Sequence, residues 1–268
     1  MPEEAKNEMT FLEHLEELRW HIVRSLLSVF IVAIIAFIFK KFIFDEIIFG
    51  PASKDFYTNR WLITIGDKIG LHIRINQGNP HFISRKMAGQ FMAHIIVSII
   101  AGIVVALPYI LYELWSFVAP ALYPKEKKYS RLIFFYSSFL FFAGVLFGYY
   151  IIAPLSVDFL VYYQASSKVT TEPDIMSYIS TVSSAVLASG IMFELPILIY
   201  FLSKMGILSP DFLRKYRKHA FVIILIISAI ITPPDIFSQL LVSVPIVFLY
   251  EISIKISSRI NKNRNQAA

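Results

Sequence analysis

Residues 220–250 read AFVIILIISAIITPPDIFSQLLVSVPIVFLY, a run that is apolar on both sides of Thr232-Pro233-Pro234-Asp235. Apolar residues at this density read as membrane helix. Two successive prolines break one, because each lacks the amide N–H and clashes with the preceding turn. The run therefore predicts two helices, 220–231 and 236–250, joined by a tight turn. At 1.5 Å per residue they reach only about 18 and 22 Å, against a hydrocarbon core of about 30 Å. Either the bilayer thins around them or the turn lies in a depression. The alternative is that flanking residues such as His219 and Ser253 lengthen both helices.

Four further apolar stretches complete the pattern: 22–44, 88–115 containing Pro108, 132–157, and 175–202 containing Glu194 beside Pro196. Composition agrees. Of the 268 residues, 56% are hydrophobic and only 16% charged, and 24 are Phe; soluble domains average about 25% charged residues. A soluble globule of this size is thereby excluded. The absence of cysteine excludes disulfides, thiolate metal sites and thiol catalysis. The N-terminus is acidic (Glu3, Glu4, Glu8) and lacks the basic start of a signal peptide.

The net charge of +6 reports orientation. Of the 25 Lys and Arg, 16 lie in the segments up to residue 24, 117–131, 204–218 and 255–268. By the positive-inside rule these face the cytoplasm. The expected fold is an all-α integral membrane protein with six transmembrane helices, the last two short, and both termini cytoplasmic. Residues 1–258 form one membrane domain, and 259–268 a short polar tail, expected to be disordered. Segment 45–87 falls outside the cytoplasm. Its β-rich runs 61–65 and 71–75 flank Gly66-Asp-Lys-Ile-Gly70, which fits a hairpin or an ordered loop without strand pairing. No internal repeat is visible, which argues against an inverted-repeat transporter.

Three constellations carry candidate chemistry. Thr10 and Glu13 have capping-box spacing, and Phe11, Leu12, Leu15, Leu18 and Ile22 share one face. Residues 10–21 thus predict an amphipathic helix along the interface, with Glu13, Glu16 and Glu17 on the polar side. Such a face is either a solvated anchor or a seat for a cationic partner. Glu126 is a lone acid among Lys125, Lys127, Lys128 and Arg131, where local pairing is the plain reading. Glu194 lies within an apolar span, at an insertion cost of about 2.5–3.5 kcal/mol, and is either functional or held by a structural hydrogen bond. Gly144 and Gly148 have small-xxx-small spacing, which chance alone produces often. His14 and His21 share a helix face but lack a third metal ligand, and His94 reads as a satisfied polar group. No P-loop, HExxH or GxSxG motif occurs.

His14-Leu-Glu-Glu17-Leu-Arg19, Phe117-Val-Ala-Pro-Ala-Leu-Tyr123, Phe193-Glu194-Leu-Pro196 and Thr232-Pro-Pro-Asp235, in this order, resemble the TatC family. That family provides the receptor and core subunit of the twin-arginine protein translocase. The likeness runs from about Thr10 to Ser258. It implies binding of twin-arginine signal peptides, assembly with single-span TatA and TatB proteins and with further copies of itself, and export of folded proteins driven by the proton motive force. It implies a place in the cytoplasmic (inner) membrane and no role for nucleic acid, cofactor, metal or enzymatic catalysis. By motif position, Glu17 and Glu126 match the acids associated with the arginine pair, and Arg19 and Phe117 match neighbouring functional positions. Glu194 matches the intramembrane glutamate, Pro51 and Pro108 match family prolines, and Pro233, Pro234 and Asp235 form the outer turn. Two features depart from the family: His21 stands where a basic residue is common, and segment 45–87 is long.

Two other classes compete. A proton-coupled small-molecule transporter would use Glu194 as carrier, yet needs a polar path from both sides, and only one deeply placed acid stands out. A membrane enzyme needs a catalytic pair at one depth, and none is apparent.

Overall fold

A chain solvated by lipid must satisfy its backbone N–H and C=O groups within each crossing segment, which helices do. The structure, a computed structural model, describes residues 11–70, 80–118, 130–166, 168, 171–232 and 236–267. Among them the sole β-feature is an isolated bridge between Ile83 and Asp174. The helices are α1 (Phe11–Ile38), α2 (Tyr57–Ile69), α3 (Gly89–Val118), α4 (Ser130–Phe147), α5 (Ala153–Tyr162), α6 (Ile175–Phe193), α7 (Leu195–Lys204), α8 (Pro210–Lys215), α9 (Arg217–Ile231) and α10 (Ile236–Ala267). A π-turn, Gly148–Ile152, joins α4 to α5, and Glu194 alone separates α6 from α7.

Among the described residues, five stretches are long and apolar enough to cross a membrane: Leu15–Ile38, Gly89–Phe117, Ile133–Tyr162, Ile175–Lys204 and Gln239–Lys262. The apolar α9, at 15 residues, is the short helix expected before the Pro-Pro turn. The turn residues Pro233, Pro234 and Asp235 lie outside the described residues.

Four expectations need correction. The last helix is not short: α10 runs 32 residues, past Tyr250 and through most of the expected tail. The hydropathy drop after Tyr250 marks a change of surroundings, not of backbone. Tyr250, Ser253, Ile254 and Ser257 recur at helical spacing and stay buried, while Glu251, Lys255 and Arg259 take other faces. Second, residues 11–21 are not a separate interfacial helix but the start of α1, with no break before the span. Third, Trp61-Leu-Ile-Thr-Ile65 lies in α2 and not in a strand. Tertiary anchors override its β-propensity: the Asn59 side chain, fully buried, donates to the Ser53 carbonyl at 2.8 Å, and Thr58 donates to the Tyr150 carbonyl. The second expected strand, 71–75, lies outside the described residues. Fourth, the close glycine spacing is not chance. A Cβ at Gly144 would sit 2.6 Å from the Ser189 carbonyl oxygen, and one at Gly148 would sit 2.7 Å from that of Ala185. These glycines let α4 and the π-turn that follows it lie against the backbone of α6.

The chain divides into two compact units, Met1–Ile38 with Ser98–Ser138, and Phe39–Val97 with Phe139–Ala268. The second holds the larger core. Ile152, Ala185, Ile199, Leu213, Ile224, Val242 and Ile246 pack together within it. Tyr250 donates to the Leu213 carbonyl at 2.8 Å, and Ser203 donates to Ser257 at 2.8 Å. Residues 47–56 are held onto the helices of this unit by aromatic rings. Phe49 stacks on Tyr178 at 5.8 Å and Phe56 on Tyr150 at 5.5 Å, while Tyr149 and Tyr178 donate to the carbonyls of Ile47 and Ile48. Pro51 is buried in the 3-10 turn Gly50–Ala52 at the centre of this cap.

Candidate functional site

In the first unit, α1 and residues 98–118 of α3 run antiparallel. A Cβ at Gly102 would fall 2.8 Å from the Val29 carbonyl oxygen and 3.1 Å from the Ala33 methyl, so the two backbones nearly touch there. Further along, where α1 numbers fall and α3 numbers rise, larger side chains separate the helices. The gap is a cavity of about 260 Å³ whose walls include Leu18, Ile22, Leu26, Ile110 and Leu114. His21 and Phe117 line its end nearest Glu113.

That end carries the charge. Glu113 is 3% exposed, although it lies in the apolar run of α3. Its Oε2 is 2.5 Å from His21 Nδ1 and 4.0 Å from Arg24 Nη1, both on α1. Tyr109, one turn earlier on α3, donates its hydroxyl to the same carboxyl. An acid in this setting needs cationic and hydrogen-bonding neighbours, since burying an unpaired carboxylate costs several kcal/mol. His21 also meets the Phe117 ring edge-on, with centroids 5.9 Å apart. Glu113 and Phe117 are one turn apart on α3, as Glu17 and His21 are on α1. The antiparallel register therefore sets Glu17 level with Phe117.

Glu17 is half-buried. Its Oε2 is shielded from solvent and has no hydrogen-bond partner among the described residues. A shielded acceptor left unmet is costly, and a cationic donor relieves it. Arg19 points away: it is exposed, with its guanidinium 5.9 Å above the Trp20 ring. The structure thus brings Phe117 and the helix turn bearing Glu17 to one end of one cavity. Glu126 lies outside the described residues. Pro108 sits inside α3 without ending it.

Glu194 belongs to the second unit. It ends α6, and its carbonyl accepts from the amides of Ile197 and Leu198, opening α7. Its Oε1 is buried. Among the described residues no group of three or more His, Cys, Asp or Glu could hold a metal.

The acid that sequence reading missed is Glu113. Glu194 is therefore not alone as an acid within a span. The signal was present: Ile110-Leu-Tyr-Glu113-Leu-Trp carries an isolated carboxyl in an apolar helix, the same anomaly that singled out Glu194.

Known proteins match this chain over most of its length. The family model described as Sec-independent protein translocase protein (TatC) matches residues 13–245. The Sec-independent protein translocase protein TatC of Blattabacterium sp. subsp. Periplaneta americana is 42% identical over 97% of this chain and 98% of its own. That of Aquifex aeolicus is 36% identical over 97% of this chain and 100% of its own. A crystal structure of the twin arginine translocase receptor TatC superimposes with a TM-score of 0.70 at 34% identity, covering 93% of this chain and 100% of that one.

Proposed function

This chain belongs to the TatC family of Sec-independent protein translocase proteins, and from that premise we propose that the end of the α1–α3 cavity receives the arginine pair of a signal peptide. The observation that carries this reading is the shielded Glu17 Oε2, without a hydrogen-bond partner among the described residues, on the turn of α1 whose neighbouring Leu18 lines an apolar cavity. A secretory signal peptide places its basic residues before an apolar stretch. The carboxylate suits the first part and the cavity walls suit the second. A guanidinium offers a planar fork that a carboxylate binds bidentately, which lysine cannot copy. Glu126 supplies the second acid from segment 117–131, with Phe117 lining the cavity and Arg19 on the same turn of α1 as Glu17, turned outward. The test is direct. Glu17→Ala and Glu126→Ala each weaken binding of a twin-arginine peptide by about 1–3 kcal/mol, and a double variant that binds like the wild type in detergent ends the reading.

The protein acts as a transport subunit in a multi-pass membrane setting. In our reading it spans the cytoplasmic membrane six times with both termini inside, and Pro233, Pro234 and Asp235 form an outer turn. It assembles with single-span TatA- and TatB-type proteins and with other copies of itself, and moves folded cargo at the expense of the proton motive force. Glu194 is the candidate partner contact, because an acid that interrupts a span is costly to present to lipid. Glu194→Ala then spares peptide binding but reduces recruitment of the single-span subunit, while Glu194→Gln retains much of it. Disulfide cross-linking from a cysteine at Ile191, which is exposed, reads the difference.

A further inference from the structure

The proposed peptide site contains a carboxylate that the peptide cannot reach. Glu113 is buried behind His21, whose own side chain is 12% exposed. It therefore acts through His21 or not at all. His21 is tied on three sides: its Nδ1 to Glu113 at 2.5 Å, its ring edge-on to Phe117 at 5.9 Å, and its backbone carbonyl to the Ser25 hydroxyl at 2.8 Å. The first two ties cross from α1 to α3. They lie on the same face of α1 as Glu17, one turn away. At the other end of the pair, Gly102 fixes how closely the helices approach. It does not fix rotation of α1 about its own axis, since a smooth glycine contact offers no directional bond. The His21–Glu113 bond is directional and does.

We propose that Glu113 is a positioning residue that sets the preference for arginine over lysine, by holding His21 against α3 and so fixing the orientation of Glu17. The proposal rests on the reading of Glu17 as an arginine ligand. Charge attraction tolerates a misplaced carboxylate, because a lysine ammonium is a point charge on a flexible stem. Bidentate pairing with a guanidinium does not, because both N–H···O bonds must form in one plane. Freeing α1 to rotate thus costs arginine binding more than lysine binding. The neighbouring charges fit the same device. Arg24 of α1 lies 4.0 Å from Glu113 and Tyr109 of α3 hydrogen-bonds to it, so the carboxyl also keeps one α1 cation engaged beside a site for a dicationic ligand.

The experiment compares two fluorescent peptides, one with paired arginines and one with paired lysines, bound to the full chain in detergent. The ratio of their affinities is the readout. Glu113→Leu removes one partner of a buried pair and leaves His21 unpaired, a change that costs stability, so binding is read only on protein that its melting curve shows to be folded. This variant lowers the ratio by about tenfold, the worth of one charge-assisted hydrogen bond, because arginine-peptide affinity falls further than lysine-peptide affinity. Glu113→Gln keeps an acceptor for His21 and retains most of the preference. His21→Leu lowers the ratio as far as Glu113→Leu, and the double variant lowers it no further. An unchanged ratio in Glu113→Leu, or additive losses in the double variant, overturns the proposal. Glu17→Ala separates it from its premise. If that variant keeps the wild-type preference, Glu17 is not the arginine ligand and both readings fall. If it loses the preference while Glu113→Leu keeps it, only the role of Glu113 falls.

Discussion

The two units solve opposite problems with the same helical material. In the second, polar groups serve packing: Tyr250 caps the Leu213 carbonyl, Ser203 meets Ser257, and aromatic rings seal residues 47–56 onto the helices. In the first, polar groups disturb packing. His21, which lines a cavity, pairs with the buried Glu113, and one turn away Glu17 carries a carboxyl oxygen unmet among the described residues. Burial follows the same division. Only 6% of the apolar window of the first span is buried within the protein, against 28% and 39% for Ile175–Lys204 and Gln239–Lys262. A helix with so few neighbours is held by a handful of specific contacts, so each contact counts for more. The difference teaches where to look for function in a membrane bundle: at the loosely packed helix whose few polar ties have no packing purpose.

The sharpest way to break this contrast is to damage each unit and ask which property fails. Phe141 is 1% exposed and packs its ring against Gly190. Phe141→Ala should cost about 3–5 kcal/mol of stability by transfer and cavity terms. It should lower the melting temperature in detergent while the surviving folded fraction binds peptide normally. Glu17→Ala should do the reverse, weakening peptide binding by about 1–3 kcal/mol with an unchanged melting curve, because it removes an acceptor that has no partner among the described residues. Loss of stability in Glu17→Ala would mean that the carboxyl is structural. Smaller effects sharpen the comparison within the second unit. Tyr250→Phe removes one buried hydrogen bond and should cost about 1 kcal/mol, seen as a modest melting shift. Arg217 pairs with Glu251 at 2.8 Å, but both are substantially exposed. Arg217→Gln should therefore change stability by less than about 1 kcal/mol, and a larger shift would show that the pair acts as a packed element.

The sequence made the long spans legible because length and apolarity are local properties. The Pro-Pro break was equally plain, and α9 and α10 end and begin on either side of it. Glu17 and Phe117 were legible as motif members, but their meeting was not, since the register of α1 on α3 is set by Gly102 and by the His21–Glu113 bond between residues 92 apart. Glu113 escaped because an acid near the end of a span looks like a residue snorkelling to water, and only burial shows otherwise. The helical state of Trp61-Leu-Ile-Thr-Ile65 was hidden for the opposite reason. Its local preference is for strand, and the anchors at Asn59 and Thr58 that reverse it come from Ser53 and Tyr150. The extension of α10 past Tyr250 was hidden because its buried face there is built largely from serines, which hydropathy counts as polar.

The central claim is that the arginine pair meets the protein at the end of the α1–α3 cavity nearest Glu113. The most direct measurement is photo-cross-linking of a signal peptide that carries a photoreactive residue beside its two arginines, with the adducts on the full-length protein mapped by mass spectrometry. The account predicts adducts on the turn of α1 that bears Leu18, His21 and Ile22 and on the facing Leu114 and Phe117 of α3, lost when the arginines are replaced by glutamines. Adducts confined to α6, α7 or α10, or unchanged by that replacement, would contradict it.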